Sequence, residues 1–192
     1  MWIDLDSLMA RAPRNESKEH FLLKHVGRIY FWQRGFRIVG QEIYGLRDWR
    51  AQRDCVDVLA VGERKIGEMK MLCSKAIEVK VSRSDFKSGF CKGADFTSIL
   101  CPKGMIDPDE LPQGVGLIEA DIDRLRIKVS GIMELEGVEA IKKAQYNKTA
   151  FGIERIEDHQ RYIHSLVHTI AAQNTRELAR FGVPEELEKG RD

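Results

Sequence analysis

The sequence predicts an α/β sandwich around a mixed sheet, and three observations carry that prediction. Residues from Asn15 onward repeat their apolar positions at helical spacing, the stretch from Phe36 to Asp123 is a succession of β-rich runs broken by turns, and residues 157–181 return to a long amphipathic helical pattern. Helix, strands, then helix again is the order expected when helices cover a sheet.

The first helix is expected within NESKEHFLLKHVGRIYFWQRG. Asn15 or Ser17 can cap it, Glu16 and Glu19 suit its first turn, and Gly35 suits its end. Phe21, Leu22, His25, Ile29 and Trp32 mark its apolar face. FRIVGQEIYG and CVDVLAVG then read as strands, separated by the polar loop LRDWRAQRD. A charged turn over Gly62–Gly67 leads into KMLCSKAIEVKV, so the three strands form a meander. SRSDFKSGFCKG reads as a short helix or irregular connection, DFTSILCP as a strand stopped by Pro102, and DPDEL as a single helical turn. VGLIEAD and LRIKVSG read as further strands and EGVEAIKKA as a short helix. In the last helix Ile163, Leu166, Val167, Ile170, Ala171 and Leu178 form the apolar stripe. The 192 residues are expected to fold as one domain, with a core over 15–123 and a mainly helical C-terminal extension over 124–192.

Composition excludes several classes. Lys plus Arg total 31 against 30 Asp plus Glu, so any nucleic-acid surface is a local patch and not a global field. The four cysteines include no C-x-x-C pair, which argues against a zinc or iron–sulfur knuckle. The N-terminus lacks a signal-peptide pattern, and no apolar run approaches the ~20 residues of a membrane span. The expectation is a soluble, cytoplasmic protein with reduced thiols.

The stretch AIEVKVSRSDF places Glu78 and Lys80 inside an apolar strand, two residues apart and therefore on one face, with Ile77, Val79 and Val81 on the other. Asp57 interrupts CVDVLAVG in the same manner. Burying such charges unpaired is costly. Two carboxylates and a lysine converging from adjacent strands make a hard-oxygen site for Mg²⁺ or Mn²⁺, with Lys80 near an attacking water. Hydrolysis of a phosphodiester suits such a site. The competing reading is an exposed sheet face with a surface ion pair of little worth.

Asp57, then Glu78-x-Lys80 about twenty residues later, after a helix bearing Glu19, resembles the PD-(D/E)XK nuclease superfamily. Val56-Asp57 stands where the superfamily's name has Pro-Asp. The run EVKVSRSDF, followed by a strand and CPKGMIDPDELPQGVGLIEAD, is similar more specifically to MmcB-like DNA repair proteins and related phage proteins, over roughly residues 15–123. The resemblance implies a restriction-endonuclease-like core of helix, three-stranded meander, helix and strand. It also implies metal ligation by Asp57, Glu78 and the backbone carbonyl of Val79, a catalytic Lys80, and Glu19, or else Glu16, as the acid of the first helix. Glu42 is a further candidate for the same pocket.

For DNA binding, the loop before Asp57 interleaves Arg47, Arg50 and Arg53 with Trp49, and Arg83, Lys87 and Lys92 follow the site. His164 and His168, with His159 just upstream, lack the H-E-x-x-H pattern, and the pair is expected at the surface or partly packed; His20 and His25 are expected to be structural, although His20 could approach the site beside Glu19. The expectation is therefore a Mg²⁺-dependent deoxyribonuclease of DNA repair or phage DNA metabolism. The alternative is a non-catalytic DNA-binding or repair-accessory module that keeps the fold. The long final helix is a candidate surface for self-association.

Overall fold

The computed structural model describes residues 2–44, 55–66, 68–91, 93–130, 132–147 and 156–181. A short helix, α1 (Leu5–Met9), precedes the main one, α2 (Lys18–Gln33). Ser17 is the N-cap of α2, its hydroxyl accepting the His20 N–H at 3.1 Å. Gly35, with φ of +82°, turns the chain out of the helix.

The sheet follows as β1 (Ile38–Tyr44), β2 (Cys55–Ile66) and β3 (Met69–Val79), all antiparallel. The short helix α3 (Arg83–Lys87) then carries the chain to β4 (Phe96–Pro102), which pairs parallel with β3. A loop with a 3-10 turn over Pro108–Glu110 leads to β5 (Gly116–Ala120), parallel to β4. Next come β6 (Arg126–Ser130), β7 (Ile132–Glu136) and β8 (Val138–Lys142). The central sheet is mixed, in the order β1-β2-β3-β4-β5-β8, while β6 and β7 form a separate hairpin. The final helix is α4 (Ile156–Phe181).

The two faces of the sheet are covered by different helices. Leu22, Leu23, Val26, Tyr30 and Phe31 of α2 pack over Val58, Ala60, Ile77, Val79, Leu100 and Ile118. Ile163, Leu166 and Ile170 of α4 pack over Ile43, Val56, Leu59, Val61 and Ala76 on the opposite face. A third cluster, around Ile99, Cys101 and Leu117, is closed by Ile106, Leu111 and Val115. Burial of this kind stabilises by about 25 cal/mol per Å² of apolar surface, which is what holds the helices on the sheet.

Several expectations are corrected. Of the expected apolar face of α2, only Leu22 and Ile29 are fully buried; Leu23, Val26, Tyr30 and Phe31 do the packing instead. The charged segment after Gly62 is not a turn, because β2 runs on to Ile66. Gly62 is needed there for close approach: a Cβ would lie 2.8 Å from the Phe36 ring. Residues 126–130, 132–136 and 138–142 are three strands, so the C-terminal extension carries strands as well as the long α4. Within it, the expected helix at EGVEAIKKA is β8, whose pairing with β5 overrides the helical preference of Glu, Ala and Lys.

Candidate functional site

The acids meet where the sheet forks. β2 and β3 pair from Ile66↔Met69 up to Val58↔Ile77, and there the ladder stops. Beyond that point β2 stays with β1, through Val56↔Ile43 and Cys55↔Tyr44, while β3 stays with β4, through Glu78↔Ile99 and Val79↔Leu100. Asp57 and Glu78 are the first residues on the two arms. In a regular strand Val56 and Val58 would share a face, yet Val56 packs under α4 and Val58 under α2. The alternation breaks at Asp57, and it does so beside Glu42, whose φ of +51° is in the left-handed region. That break turns Asp57 toward α2.

Asp57 then replaces the missing rung. Its Oδ2 accepts the Val79 N–H at 2.8 Å, and its Oδ1 lies 3.5 Å from His20 Nε2. His20 Nδ1 is 2.6 Å from Glu16 Oε1, and Lys24 Nζ is 2.7 Å from the same oxygen and 2.6 Å from Glu42 Oε1. Burial disfavours charge on His20, but hydrogen bonds with Asp57 and Glu16 outweigh it and hold the imidazolium up to about 9. Lys24 is almost fully buried and is raised by the same balance, its two carboxylates overcoming desolvation.

Glu78 has no such partners. It is 5% exposed, and its Oε1 is buried without a hydrogen bond. Burial, reinforced by Asp57, pushes its carboxyl up to about 8 against the opposing pull of Lys80 and His20. Lys80 is also buried, and its ammonium donates to Asp85 Oδ1 at 3.2 Å. Asp85 is positioned by its own helix start: the Ser82 hydroxyl accepts its N–H, and its Oδ2 accepts the Val81 N–H. Ser82 caps α3 and Asp85 is the N3 residue, the arrangement that orients a side chain back over a helix entrance.

The structure thus gathers Asp57, Glu78, Lys80 and Glu42 in one region. Glu16, not Glu19, supplies the carboxylate at the helix start. Glu16 stands one residue before the Ser17 cap, and the i, i+4, i+8 spacing of Glu16, His20 and Lys24 places them along one edge. Glu19 makes no ion pair with this group. Lys24 and Asp85 were not foreseen, though both had a signal: the helical spacing just named, and the Ser-x-x-Asp cap. His20 stands beside Glu16 and Asp57 and not beside Glu19.

Arg47, Trp49, Arg50, Arg53 and Lys92 lie outside the described residues. Arg83 is committed to a two-pronged pair with Glu110, at 2.7 and 2.6 Å, and also donates to the Met105 carbonyl. Lys87 is exposed at the end of α3. His164 and His168 are exposed and stack edge-on at 4.6 Å, but His159 is buried and bonded to Asp95 at 2.9 Å. The pair thus lies at the surface, while His159 meets a buried carboxylate from a distant loop.

Among the described residues, no three His, Cys, Asp or Glu side chains are gathered as a ready metal-ligand set. No helix among them is long and apolar enough to cross a membrane.

No protein-family model matches the chain, and no curated protein matches it. Among solved structures, a protein of unknown function from Silicibacter pomeroyi is similar, with a TM-score of 0.52 and 20% identity over 81% of this chain and 85% of that one. At that identity the likeness speaks for the shared α/β fold alone.

Proposed function

We propose that the chain is a metal-dependent nuclease acting on DNA, built on a restriction-endonuclease-like core. The observation that carries the reading is the buried, unbonded Oε1 of Glu78 on one arm of the strand fork, with the Asp57 carboxylate on the other. A buried carboxylate oxygen without a partner is expensive, and a cation is the partner that would repay it. The order α2, three antiparallel strands, α3 and a parallel β4 also agrees with the resemblance.

The donor chemistry fits Mg²⁺ or Mn²⁺, held by Asp57, Glu78 and the Val79 carbonyl, with water supplying the remaining ligands. When bound, the ion would contribute positive charge against the phosphodiester oxygens. The chain's own residues do the rest. Lys80, kept in place by Asp85, orients the attacking water and offsets negative charge as it develops. Glu16 and Glu42 hold Lys24, and His20 supports Asp57.

A second reading, a non-catalytic DNA-binding or repair-accessory module, has its own observation: both Asp57 oxygens already have protein partners, and Lys80 is paired with Asp85. A cleavage assay over single-stranded, duplex and branched DNA with Mg²⁺ and Mn²⁺ separates the two, run beside melting curves. Wild type should cleave and melt higher with the ion. Asp57→Ala and Glu78→Ala should each lower cleavage at least about 100-fold while staying folded, and Lys80→Ala should lose turnover but keep Mn²⁺ binding. No cleavage of any DNA form, with melting unchanged by either ion, gives the protein to the second reading.

A further inference from the structure

At the other end of α2 lies a cavity of ≈ 290 Å³ whose described walls carry cations and no acid. Arg34, at the end of α2, Lys75 on β3, and Lys142 and Lys143 at the end of β8 all line it. None of the four has a carboxylate partner among the described residues. Arg34 lies over the Tyr30 ring at 3.4 Å and donates to the Tyr30 carbonyl, and Lys142 donates to the Pro108 carbonyl at 2.7 Å. Lys75 rests on rings alone, 4.7 Å from the centre of Phe96 and 5.5 Å from that of Phe36. Burial, with Arg64 and Arg34 nearby, pushes its ammonium down to about 8.

Apart from Ser98, the rest of the wall is apolar or aromatic, with Phe36 and Phe96 beside the cations. Surface lysines ordinarily meet solvent or an acid. Here Arg34 and Lys75, from two separate elements, share one small concavity closely enough for Arg34 to disfavour charge on Lys75, while Lys142 and Lys143 add to its wall, and an anion between them would relieve that repulsion. A volume of this order suits a small ligand, and the mixture of cations and rings suits one with a charged head and a flat body. Arg and Lys together favour phosphate, as a bidentate and a point-charge partner respectively.

We propose that this cavity binds the phosphate of a nucleotide, with the base or sugar against the half-buried Phe96. The nucleotide is either free or the terminal residue of a strand, since both present the same phosphate. The cavity and the acid cluster share β3, with Lys75 three residues before Glu78, about 10 Å along the strand at ~3.3 Å per residue, but neither Arg34 nor Lys75 pairs with any acid of that cluster. The phosphate site therefore does not depend on the nuclease reading.

The test is calorimetry on the full chain in buffer containing a chelator, so that no divalent ion occupies the acid cluster. The probes are deoxyadenosine 5′-monophosphate, deoxyadenosine, inorganic phosphate, and a single-stranded oligonucleotide with and without a 5′-phosphate. The monophosphate or the 5′-phosphorylated strand should bind, and its counterpart lacking phosphate should bind at least about tenfold more weakly, the 1.4 kcal/mol expected for one good charged contact. Preference for the monophosphate identifies a free nucleotide as the ligand, and preference for the phosphorylated strand identifies a strand end. Lys75→Met, which keeps the apolar stem, and Arg34→Gln, at an exposed position, should each weaken binding about tenfold with the fold unchanged by circular dichroism. Failure of every probe to bind, binding of inorganic phosphate as tight as the nucleotide, or equal binding by both variants overturns the proposal.

Discussion

Two buried carboxylates lie close to β3, and they live under opposite conditions. Asp95 is 1% exposed and fully engaged: its Oδ2 accepts the Ser74 N–H at 2.7 Å and the Ser74 hydroxyl at 3.0 Å, while its Oδ1 meets His159 Nε2 at 2.9 Å. With Nε2 carrying the proton, His159 donates to Asp95 and its Nδ1 accepts from the Gln160 amide at 3.3 Å. Glu78 is buried nearly as well, yet one of its oxygens bonds to nothing. The first carboxylate is a structural tie between β3, the loop before β4, and α4. The second is held in a costly state by the surrounding fold, and that cost is the observation on which the proposed site rests. Burial alone does not distinguish structure from function; the count of partners does.

Breaking Asp95 should have the largest effect. Asp95→Ala leaves the Ser74 N–H and the His159 N–H buried without acceptors, each worth about 1–3 kcal/mol, so a loss of about 3 kcal/mol is expected. Urea denaturation measures it. A loss below about 1 kcal/mol would mean that the tie is not structural.

Glu78 should respond in the opposite direction, and pH reveals it. Its carboxyl is raised in the folded state to about 8, above its value in the unfolded chain. Between those two values the folded protein holds a proton that the unfolded chain has released, so stability falls as pH rises through that window. Glu78→Gln should therefore be more stable than wild type near pH 8 in cation-free buffer, by about 1–2 kcal/mol, and the gap should close toward pH 4.5. Denaturation curves at three pH values check this. A gap that does not change with pH removes Glu78 from the strained state assigned to it.

A smaller destabilisation is expected from Ser74→Ala. It removes one of three donors to the Asp95 carboxylate, leaving the other two, and also the acceptor of the Asp95 N–H, so about 1–2 kcal/mol should be lost. A loss as large as that of Asp95→Ala would show that the serine hydroxyl, and not the carboxylate, organises the tie.

The contrast also explains what the chain could and could not disclose in one dimension. Asp57, Glu78 and Lys80 stood out because each interrupts an apolar strand, and strand order alone puts β2 beside β3. The choice between Glu16 and Glu19 depends on helical phase: Glu16 is in line with His20 and Lys24, which face the acids, and Glu19 is not. Asp95 gave no signal, since its partners are 21 residues before it and 64 after it. β8 was misread because its residues favour helix and only the edge of β5, a distant partner in sequence, makes them a strand. The cavity at the end of α2 was invisible for the same reason: Arg34, Lys75 and Lys142 become neighbours only once the sheet is assembled. Local pattern is legible; convergence of distant residues is not.

The fork itself has a further consequence. At its base the Val79 amide is held by the side chain of Asp57, where a neighbouring strand would ordinarily hold it through its backbone. Strand pairing and the proposed site therefore share one hydrogen bond. Any ligand that draws Asp57 away from that amide loosens the last rung between β2 and β3, and any force that parts these strands withdraws a carboxylate from the site. The sheet's edge of cohesion and the reach of its acid are a single mechanical linkage.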